Sequence, residues 1–453
     1  MNGEFWILVT GTTLGMLLGL LLVFLVWTAK FRQAVKQWLT QSISVELLTL
    51  FQKICWRDYF EAMKRATSGT VVTRPFGTNI HFFRWDLYQF KSSYFSRKPL
   101  DDDVPIKTEV MLGPVSKKPL ILKTPIMLGG MSYGSSLSFK AKVALAKGAS
   151  LIGTATNSGS GPFLEETRKL AQKYIIQFAR GFWSRSADIL NKVDMIEISL
   201  GHGAWGPSPV RINGKEVTDG FAQRIKTIPG LDVLIESRLP EVETQADWKA
   251  LVAHLKDISG GVPIAVKIGG THYLEQELDL ILAGGVDVIV IDGAEGGTHA
   301  CPTILLDDAG LPTLPSLCRA VKYYKDHQLK GKVSLVIGGG LATPGDFLKC
   351  LALGADAVII GTIPCLVMSH TQVTKATPWE PPTQVIYYAA KKADNYDPEL
   401  GAKQLANYFA SCLDEMKLAA RTLGKADLRE INKSDLVALD PLYAEIAGIP
   451  YYL

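Results

Sequence analysis

Lys332–Thr362, KVSLVIGGGLATPGDFLKCLALGADAVIIGT, is the stretch from which the fold can be read. An apolar run, Val333–Ile337, meets Gly338, Gly339 and Gly340; a helix pattern over Pro344–Leu353 follows, and a second apolar run, Val358–Ile360, stops at Gly361 and Thr362. The order is strand, Gly turn, helix, strand, Gly turn. Glycine lets backbone approach a ligand closely, and a turn that opens a helix offers bare N–H groups to an anion. One such turn belongs to any α/β protein. Two in tandem suit a phosphate, which a β/α barrel holds on the loops after its seventh and eighth strands.

Upstream, apolar runs that end in Gly or polar turns recur at Pro125–Met131, Leu151–Thr154, Ile175–Phe178, Met195–Leu200, Val233–Ile235, Ile264–Ile268 and Val286–Ile291. Helix patterns such as Ser138–Lys147, Trp248–Ile258 and Leu274–Leu282 lie between them. Strands alternating with helices at this spacing predict an α/β fold, a TIM (β/α)8 barrel over residues 106–378. A helical extension, 379–453, follows it, with its main helix at Leu405–Leu423.

From Phe5 to Ala29 no charge occurs, and at 1.5 Å per residue that helix would cross a hydrocarbon core of roughly 30 Å. Residues 1–29 are therefore expected to be a single membrane span. Lys30, Arg32 and Lys36 follow it, which places the remainder in the cytoplasm, and residues 30–105 read as a juxtamembrane cap resting on the barrel and the lipid bilayer. A net charge of +4 and a pI near 8.5, without a basic tract interleaved with aromatics, give no sign of nucleic-acid binding. The six cysteines are dispersed without a CxxC, so neither a disulfide framework nor a metal site is expected.

In a barrel the chemistry lies just beyond the strand ends. The first such end reads Met131-Ser132-Tyr133-Gly134 and the second Asn157-Ser158-Gly159-Ser160, both glycine-relieved and rich in hydroxyl and amide groups that suit a flat heteroaromatic ring. Ser199 and His202 follow another strand; the histidine is either an acid–base group or simply hydrogen-bonded in its turn. Lys267, inside the apolar run Ile-Ala-Val-Lys-Ile, must snorkel to water or face a buried anion. Asp292, Glu295, Thr298 and His299 crowd the turn after the next strand, like the floor of a site.

Together a phosphate clamp, a ring-sized polar slot and a lysine suggest flavin mononucleotide (FMN). The segments GGMSYGSSLSFKAKVALA, TNSGSG, IAVKIGG, VIVIDGAEGGTHACP and GGGLATPGDFLKCLALGADAVIIGT resemble, in order and spacing, the FMN-binding synthase domain of glutamate synthase. The resemblance implies reductive amination of a 2-oxo acid such as 2-oxoglutarate, through an imine reduced by FMN. It implies Met131, Ser132, Gly134, Asn157, Lys267 and Asp292 at the ring, and Gly339, Gly340, Gly361 and Thr362 at the phosphate. Lys267, Glu295 and Thr298 would act in catalysis, with Ser160, Ser199, His202 and His299 toward the substrate.

The departures from that family carry expectations of their own. An acidic residue of the family's second turn is Ser160 here, and a lysine and a glutamine are Ser199 and His202, so a dicarboxylate loses a cation. Cys365 stands alone where the family holds an iron–sulfur cluster, and no cluster is expected. A membrane helix occupies the place of the glutamine amidotransferase domain, so the amino donor comes from elsewhere. Without a nicotinamide-binding unit, electrons come from a separate protein or a membrane carrier. Two further readings stand beside this one. FMN-dependent 2-hydroxy acid oxidases share the barrel and the lysine but need a His-Gly-Gly-Arg turn that reads Glu295-Gly-Gly-Thr298-His299 here. A flavin electron-transfer or scaffold subunit would lack synthase activity altogether.

Overall fold

The computed structural model describes residues 3–40, 42–375 and 382–452. The expected boundary between barrel and C-terminal extension, at 378, lies outside these. Contacts divide the chain into two units, Met1–Val72 and Thr73–Leu453. The first holds helices Gly3–Thr40, Ser42–Lys53 and Trp56–Ser68. Within the first of these, Gly15–Gln37 is long and apolar enough to cross a membrane, and Met16 to Trp27 carry exposed apolar side chains. Of the expected span, residues 1 and 2 and the side chains of residues 3–14 lie outside the described residues.

The second unit is built on eight parallel strands: β1 (Ile126–Leu128), β2 (Ala155–Asn157), β3 (Lys173–Phe178), β4 (Met195–Ser199), β5 (Ile264–Gly269), β6 (Val288–Asp292), β7 (Ser334–Gly338) and β8 (Ala357–Ile360). They hydrogen-bond in the order β1-β8-β7-β6-β5-β4-β3-β2. Thr154 Oγ1 donates to Ile126 O at 2.9 Å and bridges the two ends of that series, so the barrel is nearly closed. Both faces of each strand are buried, which is why the strands read as continuous apolar runs.

Strand alternation sorts the side chains. Ile126, Leu128, Ile196, Ile198, Val266, Ile289, Ile291 and Ile337 pack outward into the cluster shared with the helices. Met127, Ala155, Ile175, Met195, Ala265, Val288, Val290, Val336 and Ala357 form a separate inner cluster. Val110, Leu112, Leu120 and Leu122 join that inner cluster from an antiparallel hairpin, Val110–Leu112 with Leu120–Leu122. The hairpin plugs the end where strands begin: Gly113 N donates to Ser334 Oγ at 3.1 Å at the start of β7. The end where strands finish is thereby left as the mouth.

Two of the expected strands differ. Leu151–Thr154 is the end of helix Phe139–Ile152 and its cap, with Gly153 at φ +81°; the strand starts only at Ala155. Leu151 is 69% exposed, which no inner strand position would be. Val233–Ile235 is outside the barrel, paired antiparallel with Val210–Ile212 and buried only at alternate positions. Helices Leu274–Leu282 and Pro344–Leu353 fall where the pattern put them. The latter starts at a capping box in which Thr343 Oγ1 accepts from Asp346 N at 3.2 Å and Asp346 Oδ2 accepts from Thr343 N at 3.0 Å.

The C-terminal helix runs Pro398–Thr422, starting earlier than its apolar spacing suggested because Asp397 caps it and Pro398 opens it. It packs so closely on helix Phe139–Ile152 that a Cβ at Gly148 would stand 2.8 Å from Leu405 Cδ2. Residues 73–105 belong to the barrel unit. Thr73–Arg74 pairs with Cys301–Pro302, and Tyr88–Phe90 pairs with Leu436–Ala438. Phe76 N donates to Thr298 O at 2.8 Å, and both Arg74 Nη2 and Thr78 Oγ1 donate to Asp307 Oδ1, at 2.5 and 2.6 Å. This segment props the loop after β6.

Candidate functional site

Three groups of residues meet at the mouth. At β1 and β2, Ser132 Oγ and Ser160 Oγ are 2.9 Å apart. Gly159, at φ +67°, lies flat on the Met131–Ser132 peptide, where a Cβ would come within 2.5 Å of Ser132 N. Asn157 Oδ1 accepts from Gly159 N at 2.9 Å, and Asn157 Nδ2 donates to Glu197 Oε1 at 3.2 Å. Gln177 Nε2 donates to the same oxygen at 2.7 Å. Met131 turns its sulfur to Cys365, whose Sγ is 3.4 Å away. Gly134, at φ +86°, answers to packing: a Cβ there would be 2.2 Å from the Phe221 ring.

At β4, β5 and β6, Lys267 and Asp292 occupy inward positions, 6% and 7% exposed, with Nζ 3.5 Å from Oδ2. That is an ion pair and no hydrogen bond, so the ammonium keeps its donors for a further partner. Of the alternatives open to Lys267, facing a buried anion is the one realised, and the anion is a carboxylate of the protein. Ser199 is its register neighbour on β4. His202 Nδ1 and His299 Nδ1 are buried and find no hydrogen-bond partner among the described residues. The ring of His299 meets Tyr387 edge to face, with centroids 4.4 Å apart. Thr298 sits half-buried on the same loop.

Burial, reinforced by the Lys267 ammonium and opposed by Asp292, pulls the His202 pKa down to about 4. The folded chain then keeps this imidazole neutral while the unfolded chain, with an ordinary value near 6.5, takes up a proton. Stability present above about pH 6.5 is lost as the pH falls toward 4. Between pH 7.5 and pH 5 the loss amounts to about 2 kcal/mol. Urea unfolding of His202→Gln at the two pH values is expected to show a difference smaller by that amount than the wild type; an equal difference in both proteins would contradict the assignment.

Glu295 is occupied. Its Oε2 accepts from Thr313 N and from Thr313 Oγ1, both at 2.8 Å, at the start of helix Thr313–Asp326. Burial holds its carboxyl above the usual range. Thr313 Oγ1 also reaches Gly339 O at 2.9 Å, which ties the β6 and β7 loops together. A catalytic role for Glu295 would require that carboxylate to leave Thr313.

At β7 and β8, the N–H groups of Gly339, Gly340, Leu341, Gly361 and Thr362 have no acceptor among the described residues. Gly339 and Gly340 adopt φ +111° and +68°, and a Cβ on Gly361 would meet nothing within 4 Å. Helix Thr362–Ser369 starts here and adds its dipole to these donors. The result is an open cradle with several free N–H donors.

A cavity of about 880 Å³ lies to one side, beyond the ends of β4 and β5, walled by Leu200, Trp205, Trp248, Ile268 and Gly269. None of the expected site residues lines it. Gln177 and Glu197 were missed from the sequence, although the signal that picked out Lys267 is present in both: a polar residue inside an apolar strand, Tyr-Ile-Ile-Gln-Phe and Met-Ile-Glu-Ile-Ser.

Residues 94–426 match the family described as the conserved region in glutamate synthase. The chain belongs to the glutamate synthase family. A glutamate synthase large subunit-like protein of Rhizobium meliloti (strain 1021) is 32% identical over 413 residues, covering 86% of this chain and 92% of that protein. An archaeal glutamate synthase [NADPH] of Archaeoglobus fulgidus is 31% identical over 337 residues, or 72% of this chain. The chain spans 65% of the length of that relative. Among solved structures, the recombinant flavin-binding domain of baker's yeast flavocytochrome b2 superposes with a TM-score of 0.51 at 17% identity, covering 81% of this chain and 80% of that one. A (putative) lactate oxidase of Pediococcus acidilactici gives 0.51 at 13% identity, covering 79% and 84%. These two likenesses show the fold alone. In this glutamate synthase family member the matched region takes in all eight strands and the mouth they form.

Proposed function

We propose that this protein is a membrane-anchored, FMN-dependent oxidoreductase that reductively aminates a 2-oxo acid of the 2-oxoglutarate type. The observation that carries the reading is the cradle of unpartnered N–H groups at Gly339–Leu341 and Gly361–Thr362, set on the same mouth as the buried ammonium of Lys267. Those donors fit the phosphate of FMN, and the Ser132, Ser160 and Asn157 turns fit the edge of its ring. When bound, FMN supplies the hydride that converts an imine carbon to an amine.

The chain's own residues do the rest. Lys267 places a positive charge where the ring gains negative charge, with Asp292 keeping the side chain in place. Neutral His202 and His299 present buried ring nitrogens that can hydrogen-bond a substrate without adding charge. Arg180 is a cation near this side of the mouth, but its guanidinium is committed to the carbonyls of Pro207, Ser208 and Ser237 at 3.1, 3.0 and 2.9 Å. Binding of a 2-oxo acid therefore leans on Lys267 and on neutral donors. Electrons come from a separate protein or a membrane carrier, and the helix containing Gly15–Gln37 anchors the chain in the bilayer with the barrel on the cytoplasmic side.

The test uses the full chain in detergent. Expected are one noncovalent FMN per chain and, after chemical reduction, 15N-labelled glutamate from 15N-ammonium and 2-oxoglutarate. A folded, colourless protein that takes up no added FMN refutes the reading. Flavin that is bleached by 2-hydroxy acids and indifferent to 2-oxo acid plus ammonium would replace it with the oxidase.

A further inference from the structure

Lys142 lies in helix Phe139–Ile152, is 2% exposed, and plays no part in the site as built above. Its Nζ donates to three main-chain carbonyls: Met131 O at 2.5 Å, Asn157 O at 2.8 Å and Ser158 O at 3.0 Å. Three donors meet three acceptors, which only an ammonium can satisfy in full. No carboxylate pairs with it among the described residues; Cys365, on helix Thr362–Ser369, is the titratable group that faces it, and burial pushes that thiol up to about 12, so it stays neutral. The charge is balanced by carbonyl dipoles alone. Burial lowers the Lys142 pKa, and the three carbonyl acceptors work against that by favouring the ammonium.

The three carbonyls belong to the turns after β1 and β2. In a trans peptide the C=O and the following N–H point in opposite directions, and the chain has no cis peptide bond. By holding the Met131 carbonyl against the helix layer, the ammonium turns the Ser132 N–H the other way. That N–H has no acceptor among the described residues. The peptide is held from its other face by Gly159, whose own turn hangs from the Asn157 and Ser158 carbonyls on the same ammonium. A single buried charge thus sets two turns at once and leaves a donor pointing away from the protein interior.

We infer that Lys142 is the positioning residue of the ring site: it staples the turns after β1 and β2 into one surface and orients the Ser132 N–H as a free donor toward a bound heteroaromatic ring. The inference rests on the FMN reading for the identity of that ring, while the stapling itself can be measured without any ligand. A neutral side chain of similar length, as in Lys142→Met, leaves three carbonyls without a donor and frees the Met131–Ser132 peptide to rotate. Lys142→Arg keeps the charge but carries a planar fork in place of three tetrahedral donors, and is expected to restore the staple only in part.

The experiment compares the full-length wild type, Lys142→Met, Lys142→Arg and Ala144→Gly, the last a control that weakens the same helix without touching the turns. Amide hydrogen exchange without added flavin is expected to speed up at least tenfold in 129–137 and 157–161 of Lys142→Met, and to stay at the wild-type rate there in Ala144→Gly. The FMN dissociation constant is expected to rise at least tenfold in Lys142→Met, less in Lys142→Arg, and not at all in the control. Unchanged exchange in both turns, or an acceleration spread evenly over the barrel, overturns the inference. Wild type that takes up no FMN defeats the functional reading instead, and the exchange data still decide the role of Lys142.

Discussion

Replacing Lys267 with Met is expected to lower the flavin midpoint potential by tens of millivolts and to cost the fold about 3–5 kcal/mol, whereas the double change Lys267→Met with Asp292→Asn, which also removes the carboxylate's negative charge, recovers part of the potential shift and most of the stability. The two effects have different causes. The ammonium favours a reduced ring carrying negative charge; at an effective dielectric near 20 that is worth a few kcal/mol at contact distances, and about 30 mV corresponds to 1.4 kcal/mol for a two-electron couple. The stability term comes from Asp292, which is 7% exposed and has Lys267 Nζ at 3.5 Å as its cation. Removing one member of a buried pair leaves the other charged and alone, the more costly of the possible changes. From the sequence alone the fold would be expected to tolerate the exchange, since a methionine keeps the packing of the stem; the carboxylate opposite changes that expectation. Redox titration and urea unfolding of wild type, single and double variants check both parts. Equal potentials with normal flavin content would remove Lys267 from the ring.

Gly361→Leu is expected to leave folding stability within about 0.5 kcal/mol of the wild type and to weaken FMN binding by about a hundredfold. Open space surrounds the position, and its φ of −125° suits any residue, so a side chain finds no clash inside the protein. It projects instead into the cradle, where it displaces the phosphate from several N–H donors, each charge-assisted bond being worth about 1.5–3 kcal/mol. The neighbouring glycines cannot serve for this test. At Gly339 a Cβ would lie 2.4 Å from Thr313 Oγ1 at φ +111°, and at Gly340 it would lie 2.7 Å from Glu295 Cβ at φ +68°, so substitution there damages the turn itself. Isothermal titration with FMN beside urea unfolding separates the outcomes; unchanged affinity in a folded variant would place the phosphate elsewhere.

Local signals in the chain determined the barrel and its direction. Apolar runs of β-branched residues, each closed by glycine or a polar turn and followed by a helix pattern, admit little besides parallel strands covered by helices. The same reading placed helix Pro344–Leu353 and the two glycine turns of the cradle, because conformational demand on glycine and the capping of a helix are written in neighbouring residues. The distinction between eight strands and nine was not available there. Val233–Ile235 is as apolar as a barrel strand, and only pairing with Val210–Ile212 removes it from the sheet.

Tertiary structure alone decided which charges meet. Lys267 could be singled out as a buried cation, but Asp292 becomes its partner through the parallel register of β5 against β6, which is set when the intervening helix Leu274–Leu282 folds back and the two strands pair. Glu295 and His202 look alike in a list of polar turn residues; folding gives the first to Thr313 and leaves the second with a buried nitrogen unpaired. Gln177, Glu197 and Lys142 could be seen as polar residues in apolar surroundings, yet their partners are main-chain and side-chain groups brought together from separate β/α units. Hydrogen-bond partners across a sheet are fixed by geometry in three dimensions, and no spacing along the chain encodes them.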